Sequence, residues 1–67
     1  MTVRTIYDPK NDTLYVRLAE GEIVESEELR PDFIVDYDAK GRIVAVEVLS
    51  ASKNVAGNPE LLVRQVA

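Results

Sequence analysis

The stretch Ile43-Val44-Ala45-Val46-Glu47-Val48-Leu49 is the most informative part of this 67-residue chain. Its β-branched residues favour a strand, and apart from Glu47 it is apolar on both faces. A strand with this pattern is covered on both sides, whereas a strand with one face in water alternates apolar and polar residues. In a simple meander it would be an exposed edge, which is prone to aggregation. We therefore expect the C-terminal segment to cover one face, and a second subunit or a closing strand to cover the other.

Four shorter segments before this stretch also favour strands, and turn residues separate them. They span residues 3–8, 13–18, 22–29 and 33–37. The first two form a hairpin, in which Asn11 takes the bulge position that demands positive φ, and Gly41 holds the matching slot of the last hairpin. The segment 22–29 is crowded with glutamates and alternates poorly, so we interpret it as an exposed edge strand or an irregular segment.

The end of the chain carries a helix-start signal, Asn58-Pro59-Glu60. It predicts a loop over 50–57 and a short helix over 58–66, with a sixth strand as the competing interpretation of that segment. The fold class that follows is α+β and mainly β. We expect one domain over residues 1–67, strand-rich over 2–49. Its core is an antiparallel β-meander of four to five strands, with the C-terminal helix packed on one face.

Composition narrows the classes of function. The chain has no cysteine and no histidine, so it lacks disulfides and the usual zinc ligands, and self-association is the remaining way to stabilise so small a domain. We therefore expect a dimer. The net charge is −4 and the eight basic residues are dispersed, which argues against nucleic-acid binding. No stretch is typical of a signal peptide or a membrane helix, so we expect a cytoplasmic protein.

The sequence contains no convincing metal-binding or catalytic motif. The spacing from Asp36 through Asp38 and Gly41 to Glu47 resembles a calcium loop, but Lys40 stands at a ligand position. With Asp38 opposite Arg42, we expect Asp36 to pair with Val44, which puts Glu47 on the other face of the sheet. No nucleophile has a base beside it, and carboxylate pairs such as Asp36 with Asp38 are typical of turns. We predict no catalytic residue, cofactor or metal ligand, and nothing indicates an enzyme.

The best candidate for a contact surface combines tyrosines with the acidic third strand. Tyrosine is enriched at protein interfaces, and the glutamates would attract a basic partner protein. The residues assigned to this surface are Tyr15, Glu25, Glu27, Glu28 and Tyr37. The sequence leaves open whether Glu47 is functional, although an acid in an apolar strand more often faces water than the core.

Two blocks of the sequence resemble a known family. Tyr7-Asp8-Pro9 with the run 12–18, and Ile34-Val35-Asp36-Tyr37-Asp38 with the run 41–52, are similar to the signature of the domain-of-unknown-function family two-two-eight-three. These are small bacterial and archaeal proteins. The chain departs from the pattern at Ser50, where the family usually has Asp. The resemblance implies a small β-domain and no activity.

Some members of such small families are thought to lie beside toxin-like genes, which suggests by analogy an antitoxin-like or accessory role. We therefore predict a protein-binding module for a basic partner. The alternative is a small-ligand or metal-binding domain with at most weak catalysis by carboxylates.

Overall fold

The computed structural model of the chain describes residues 3–58. They form β1 (Arg4–Asp8), β2 (Thr13–Arg17), β3 (Glu25–Arg30), β4 (Phe33–Tyr37), β5 (Ile43–Val48) and the short helix α1 (Ala51–Asn54). All five strands join one antiparallel sheet in the order β1-β2-β5-β4-β3. The expected antiparallel, mainly β fold with a short helix is confirmed. Within the described range, no helix is long and apolar enough to cross a membrane.

The apolar strand β5 lies in the centre of the sheet. The strand order is therefore not that of a sequential meander, in which β5 would be an edge. It pairs with β2 on one side and with β4 on the other. Within it, Val44 and Ala45 are 2% and 0% exposed. Strands therefore flank β5 at both of its edges, and the expectation that a C-terminal segment and a second subunit or closing strand cover its faces stays a prediction.

The connection between β2 and β3 crosses the sheet instead of making a hairpin. Residues 18–24 leave β2 with the amides of Leu18 and Ala19 donating to the Val44 carbonyl at 2.8 and 3.2 Å. They reach the far edge where the Val24 amide donates to the Tyr37 carbonyl at 2.9 Å. Gly21, which has φ 130°, lies within this crossing segment.

The edge strand β3 is the acidic segment that the sequence marked as a border. All six of its residues are exposed, and a register irregularity lies between Glu28 and Arg30. Charged side chains and an irregular register both discourage another sheet from pairing with an edge. The prediction of an exposed edge strand is confirmed, although the strand begins at Glu25 and not at Glu22.

The segment after β5 differs from the prediction. Residues 50–57 were expected to be a loop, but they contain α1, whose Ala51 is fully buried. A helix of this length has no recognisable pattern in the local sequence. Contacts with the β1–β2 turn hold it in place. The Ala51 amide donates to the Asp12 carbonyl oxygen at 2.8 Å. Apart from Asn58, the helix predicted over 58–66 lies outside the described residues.

Two aspartates close the two hairpin turns in the same way. The Asp8 carboxylate accepts hydrogen bonds from the amides of Lys10 and Asn11, and Asp38 accepts them from Lys40 and Arg42. The positive φ of the first turn falls at Asp12, at 53°, so the prediction of Asn11 was wrong by one residue. In the last hairpin Gly41 has φ 77°, as expected.

From the left-handed backbone at Gly41 we predict an effect on stability. Gly41→Ala should lower the free energy of unfolding by about 1 kcal/mol, because a Cβ is disfavoured at this φ. A Cβ there meets no atom within 4 Å, so the loss would come from the backbone alone. Gly57→Ala is the matched control, since that site is equally open and has no positive φ. Urea denaturation of both variants tests this, and equal effects would contradict it.

Candidate functional site: a carboxyl pair on the sheet

A β-bulge places Asp36 and Glu47 on the same face of the sheet. Tyr37 pairs with Ile43, but Asp36 pairs with Ala45, so β5 contributes one extra residue at this point. Ile34 pairs with Glu47, which makes Asp36 and Glu47 diagonal neighbours across β4 and β5. The expected pairing of Asp36 with Val44, and with it the placement of Glu47 on the opposite face, was wrong. The bulge shifts the register by one residue and so exchanges the faces.

Asp36 is the buried charged group of the described chain, with 1% exposure. Its Oδ1 accepts a hydrogen bond of 2.5 Å from the Oγ of Ser26, the residue directly opposite on β3. Its Oδ2 is buried and has no hydrogen-bond partner among the described residues. A buried polar atom without a partner is costly and is rare away from functional sites.

Glu47 is half-buried beside Asp36, with Tyr15 and Ile34 as its neighbours on the adjoining strands. The pKa of Glu47 is raised from 4.5 to about 7. The first cause is the hydrogen bond that a protonated Glu47 makes with Asp36, followed by burial and by repulsion between the two charges. The question that the sequence left open is answered in part, since Glu47 is not a freely solvated acid. Strongly shifted pKa values of this kind are concentrated at functional sites.

Glu47 lies in the middle of a row of side chains that crosses all five strands. We call it the Glu47 row, and its members in spatial order are Ile6, Tyr15, Glu47, Ile34 and Glu28. Ile6 is 51% exposed, and Glu28 is exposed at the edge of the sheet. The row therefore presents an acid flanked by apolar and aromatic side chains.

Arg17 occupies the next row of the same face, opposite Ala45. Its Nη1 donates to the Tyr15 hydroxyl at 3.1 Å, and its Nε donates to the Ala19 carbonyl at 3.0 Å. Its Nη2 also donates to the Gly21 carbonyl. The guanidinium is thus engaged with the crossing segment and with Tyr15, and no ion pair joins it to Asp36 or Glu47 among the residues described.

The contact surface predicted from sequence is divided between two faces. Tyr15 and Glu28 belong to the Glu47 row, whereas Glu25, Glu27 and Tyr37 lie on the opposite face. On that face the Tyr37 hydroxyl donates to Glu27 Oε1 at 3.3 Å. Burial, followed by the nearby charge of Glu27, raises the pKa of Tyr37. The five residues do not form one surface.

Sequence reasoning missed Asp36, Ser26 and Glu47 as a cluster. The available signal was an acid inside an otherwise apolar strand, but the bulge that brings Asp36 to the same face is not visible in the sequence. Asp38 is engaged in its own turn: backbone amides of Arg42 and Lys40 and the Arg42 guanidinium lower its pKa. Over residues 3–58, no group of three or more acidic, histidine or cysteine side chains is arranged to hold a metal ion.

Comparison with known proteins identifies a family for this chain. The model of a family described as a protein of unknown function (DUF2283) matches residues 4–52, which cover most of the chain and include every strand and the start of α1. No curated protein matches, and no solved structure matches. The family resemblance inferred from the two sequence blocks is therefore confirmed.

Proposed function

The chain belongs to the DUF2283 family of proteins of unknown function, and from the geometry of its own site we propose that it is a protein-binding module. The partner is a basic protein, and a Lys or Arg side chain of that partner binds at Glu47 beside Asp36. By the analogy drawn above, a small basic toxin-like protein is one partner of this class. We place the complex in the cytoplasm.

The observation that carries the proposal is the composition of the Glu47 row. Protein interfaces combine aromatic and apolar contact area with a few central polar groups. Here Tyr15 and Ile34 flank a half-buried carboxylate, and Ile6 extends the apolar part of the row into solvent. A cation held at Glu47 would be partly shielded from water, which strengthens its attraction to the carboxyl pair.

The charge of the whole chain favours the same class of partner. The net charge of −4 would attract a basic protein over a distance of about 10 Å at moderate ionic strength. Glu28 at the end of the Glu47 row adds negative charge on the same face. Association should therefore weaken as salt rises.

The test has two steps. A tagged wild-type protein is used to purify partners from its host at low and at moderate salt, and the basic protein recovered is then produced for affinity measurements. We expect Glu47→Gln to weaken binding by about tenfold, which corresponds to the loss of one partly buried charge contact.

Glu27→Gln is the matched control, because Glu27 lies on the opposite face of the sheet. This variant should change the dissociation constant less than twofold. If instead Glu27→Gln weakens binding and Glu47→Gln does not, the opposite face with Glu25, Glu27 and Tyr37 is the contact surface, and the assignment to the Glu47 row fails.

A second candidate function is supported by the unpartnered Oδ2 of Asp36. A small organic cation or a metal ion between Asp36 and Glu47 would supply the missing interaction, and weak acid–base catalysis by the pair would then be feasible. A thermal-shift screen with divalent cations and small amines tests it, since a ligand that binds the folded state raises the melting temperature. A shift that disappears in Glu47→Gln would favour this function over protein binding.

We also propose that the protein forms a homodimer. A domain of this size has a thin core, and a homodimer would add buried area. The exposed Ile6 on β1 and Leu29 on β3 provide apolar surface at both edges. Light scattering at micromolar concentration tests this directly, and a monomer mass would contradict it.

A further inference from the structure

The buried Oδ2 of Asp36 requires a hydrogen-bond donor. Asp36 is 1% exposed, so bulk water does not solvate the atom freely. Its neighbours directly across the sheet are Ala45, which has no polar side chain, and Ser26, which already donates to Oδ1. Arg17 directs its three described hydrogen bonds elsewhere. The diagonal neighbour Glu47 is the remaining polar side chain next to Asp36 in the described pairing.

A glutamate can donate a hydrogen bond when its carboxyl group carries a proton. We propose that Asp36 and Glu47 share one proton up to about neutral pH, in a hydrogen bond between a carboxylic acid and a carboxylate, and that binding of a cation at the pair releases this proton. The release rests on the proposed function, whereas the sharing of the proton does not. The balance is simple: the O–H bond breaks, the proton passes to solvent, and the incoming positive charge compensates the second carboxylate.

The charged groups around the pair agree with this assignment. Glu28 of β3 lies on the same face at the end of the Glu47 row, and its negative charge favours retention of the proton. The exposed Glu20 and Glu22 of the crossing segment line a shallow pocket with Asp38, Lys40 and Arg42 at the β4–β5 turn, so we assign them no part in this. Opposing Glu28 are Arg17 of β2 and its cross-strand partner Arg4 of β1.

The shift in proton affinity agrees with the geometry. The pKa of Glu47 at about 7 means that the pair holds its proton through the acidic range and loses it near neutrality. Two interacting carboxyls release their protons in two steps that belong to the pair rather than to one residue. The charge of this face would therefore change by one unit at physiological pH.

The test is an NMR titration of the side-chain carboxyl carbons in the whole chain between pH 3 and 9. We expect the signal of Glu47 to change between about pH 6 and 8 and the signal of Asp36 to change with it, because the proton lost in this range is shared by the pair. In Glu47→Gln, the step near neutrality should disappear from the Asp36 signal. Completion of both titrations below about pH 5.5 would overturn the shared proton.

A second measurement separates this inference from the proposed function. Calorimetric titration with hexa-arginine as the probe, in two buffers of different ionisation enthalpy, counts the protons released on binding. Release of up to one proton at pH 6.5, and of almost none at pH 8.5, supports the full inference. Binding without release at either pH overturns it and leaves the binding module intact. A neutral step in the NMR titration without peptide binding supports the shared proton and counts against the binding module.

Discussion

Asp12→Ala is expected to lower the melting temperature by roughly 10 °C or more, an effect of the size that small domains show when several tertiary contacts are lost together. The Asp12 carboxylate accepts three hydrogen bonds. The Tyr7 hydroxyl donates to Oδ1 at 2.7 Å, the Ser52 amide donates to Oδ1 at 3.0 Å, and the Ser52 hydroxyl donates to Oδ2 at 2.6 Å. Removal of the carboxylate breaks all three hydrogen bonds.

The size of the expected effect follows from what these bonds connect. Asp12 lies in the β1–β2 turn, and Ser52 lies in α1, 40 residues further along the chain. The bonds therefore attach the helix to the sheet at the end where β5 finishes. Asp12 also has φ 53°, a conformation that Ala adopts at a cost.

Asp12→Asn provides the control. It keeps an acceptor at the Oδ1 position for Tyr7 and for the Ser52 amide, and asparagine tolerates the left-handed conformation. We expect it to lose less than half of what the alanine variant loses. Thermal unfolding followed by circular dichroism measures both variants at pH 7. An unchanged melting temperature for Asp12→Ala would show that the contacts with Ser52 do not hold α1 in place.

The strands, and the exposed position of β3 at an edge of the sheet, could be predicted from local pattern. β-branched and aromatic residues favour the strand in 33–37, and the glutamates from Glu25 onward indicate an exposed edge. Asp38 was correctly interpreted as a turn residue, because a carboxylate that accepts hydrogen bonds from nearby amides is a property of the local chain, and Asp8 makes the same kind of contact in the first turn.

The strand order and the candidate site depend on contacts that no local pattern encodes. Pairing of β2 with β5 joins segments about 30 residues apart, and a strand that is apolar on both faces is compatible with several neighbours. The bulge beside Tyr37 adds one residue, and that residue alone decides whether Glu47 meets Asp36. The role of Asp12 likewise depends on Ser52, so its sequence signal was that of an ordinary turn aspartate.

Glu47→Gln is expected to make the protein more stable than wild type at alkaline pH. In the wild-type protein the pKa of Glu47 rises from 4.5 in the unfolded chain to about 7 in the folded state. Below pH 4.5 both states carry the proton, and the stabilising contribution is fully present. Between these values the folded state alone keeps its proton, so stability falls as pH rises. Above about pH 7 the contribution is lost and the curve becomes flat.

For a fully buried group, this rise in pKa would correspond to ~3 kcal/mol of the free energy of unfolding. Glu47 is partly exposed, and solvent screening reduces the contribution to about 1–2 kcal/mol. Glutamine has no charge to repel Asp36, and its amide can donate to Oδ2 at any pH. The variant should therefore exceed wild type by about 1–2 kcal/mol at pH 8.5, and the two should differ little at pH 4.5. Urea denaturation at half-unit steps of pH gives the two curves.

Glu28→Gln is the matched control for this pH dependence. Glu28 lies in the same row but is exposed at the edge strand, so its substitution should leave the decline from pH 4.5 to 7 in place. A decline that persists in Glu47→Gln would assign the pH dependence to another group and would separate Glu47 from Asp36 energetically. If the decline disappears only in Glu47→Gln, the carboxyl pair is its source. Asp12 and Asp38 cannot cause it, because their pKa values are lowered and the stability that they contribute is lost as pH falls, not as it rises.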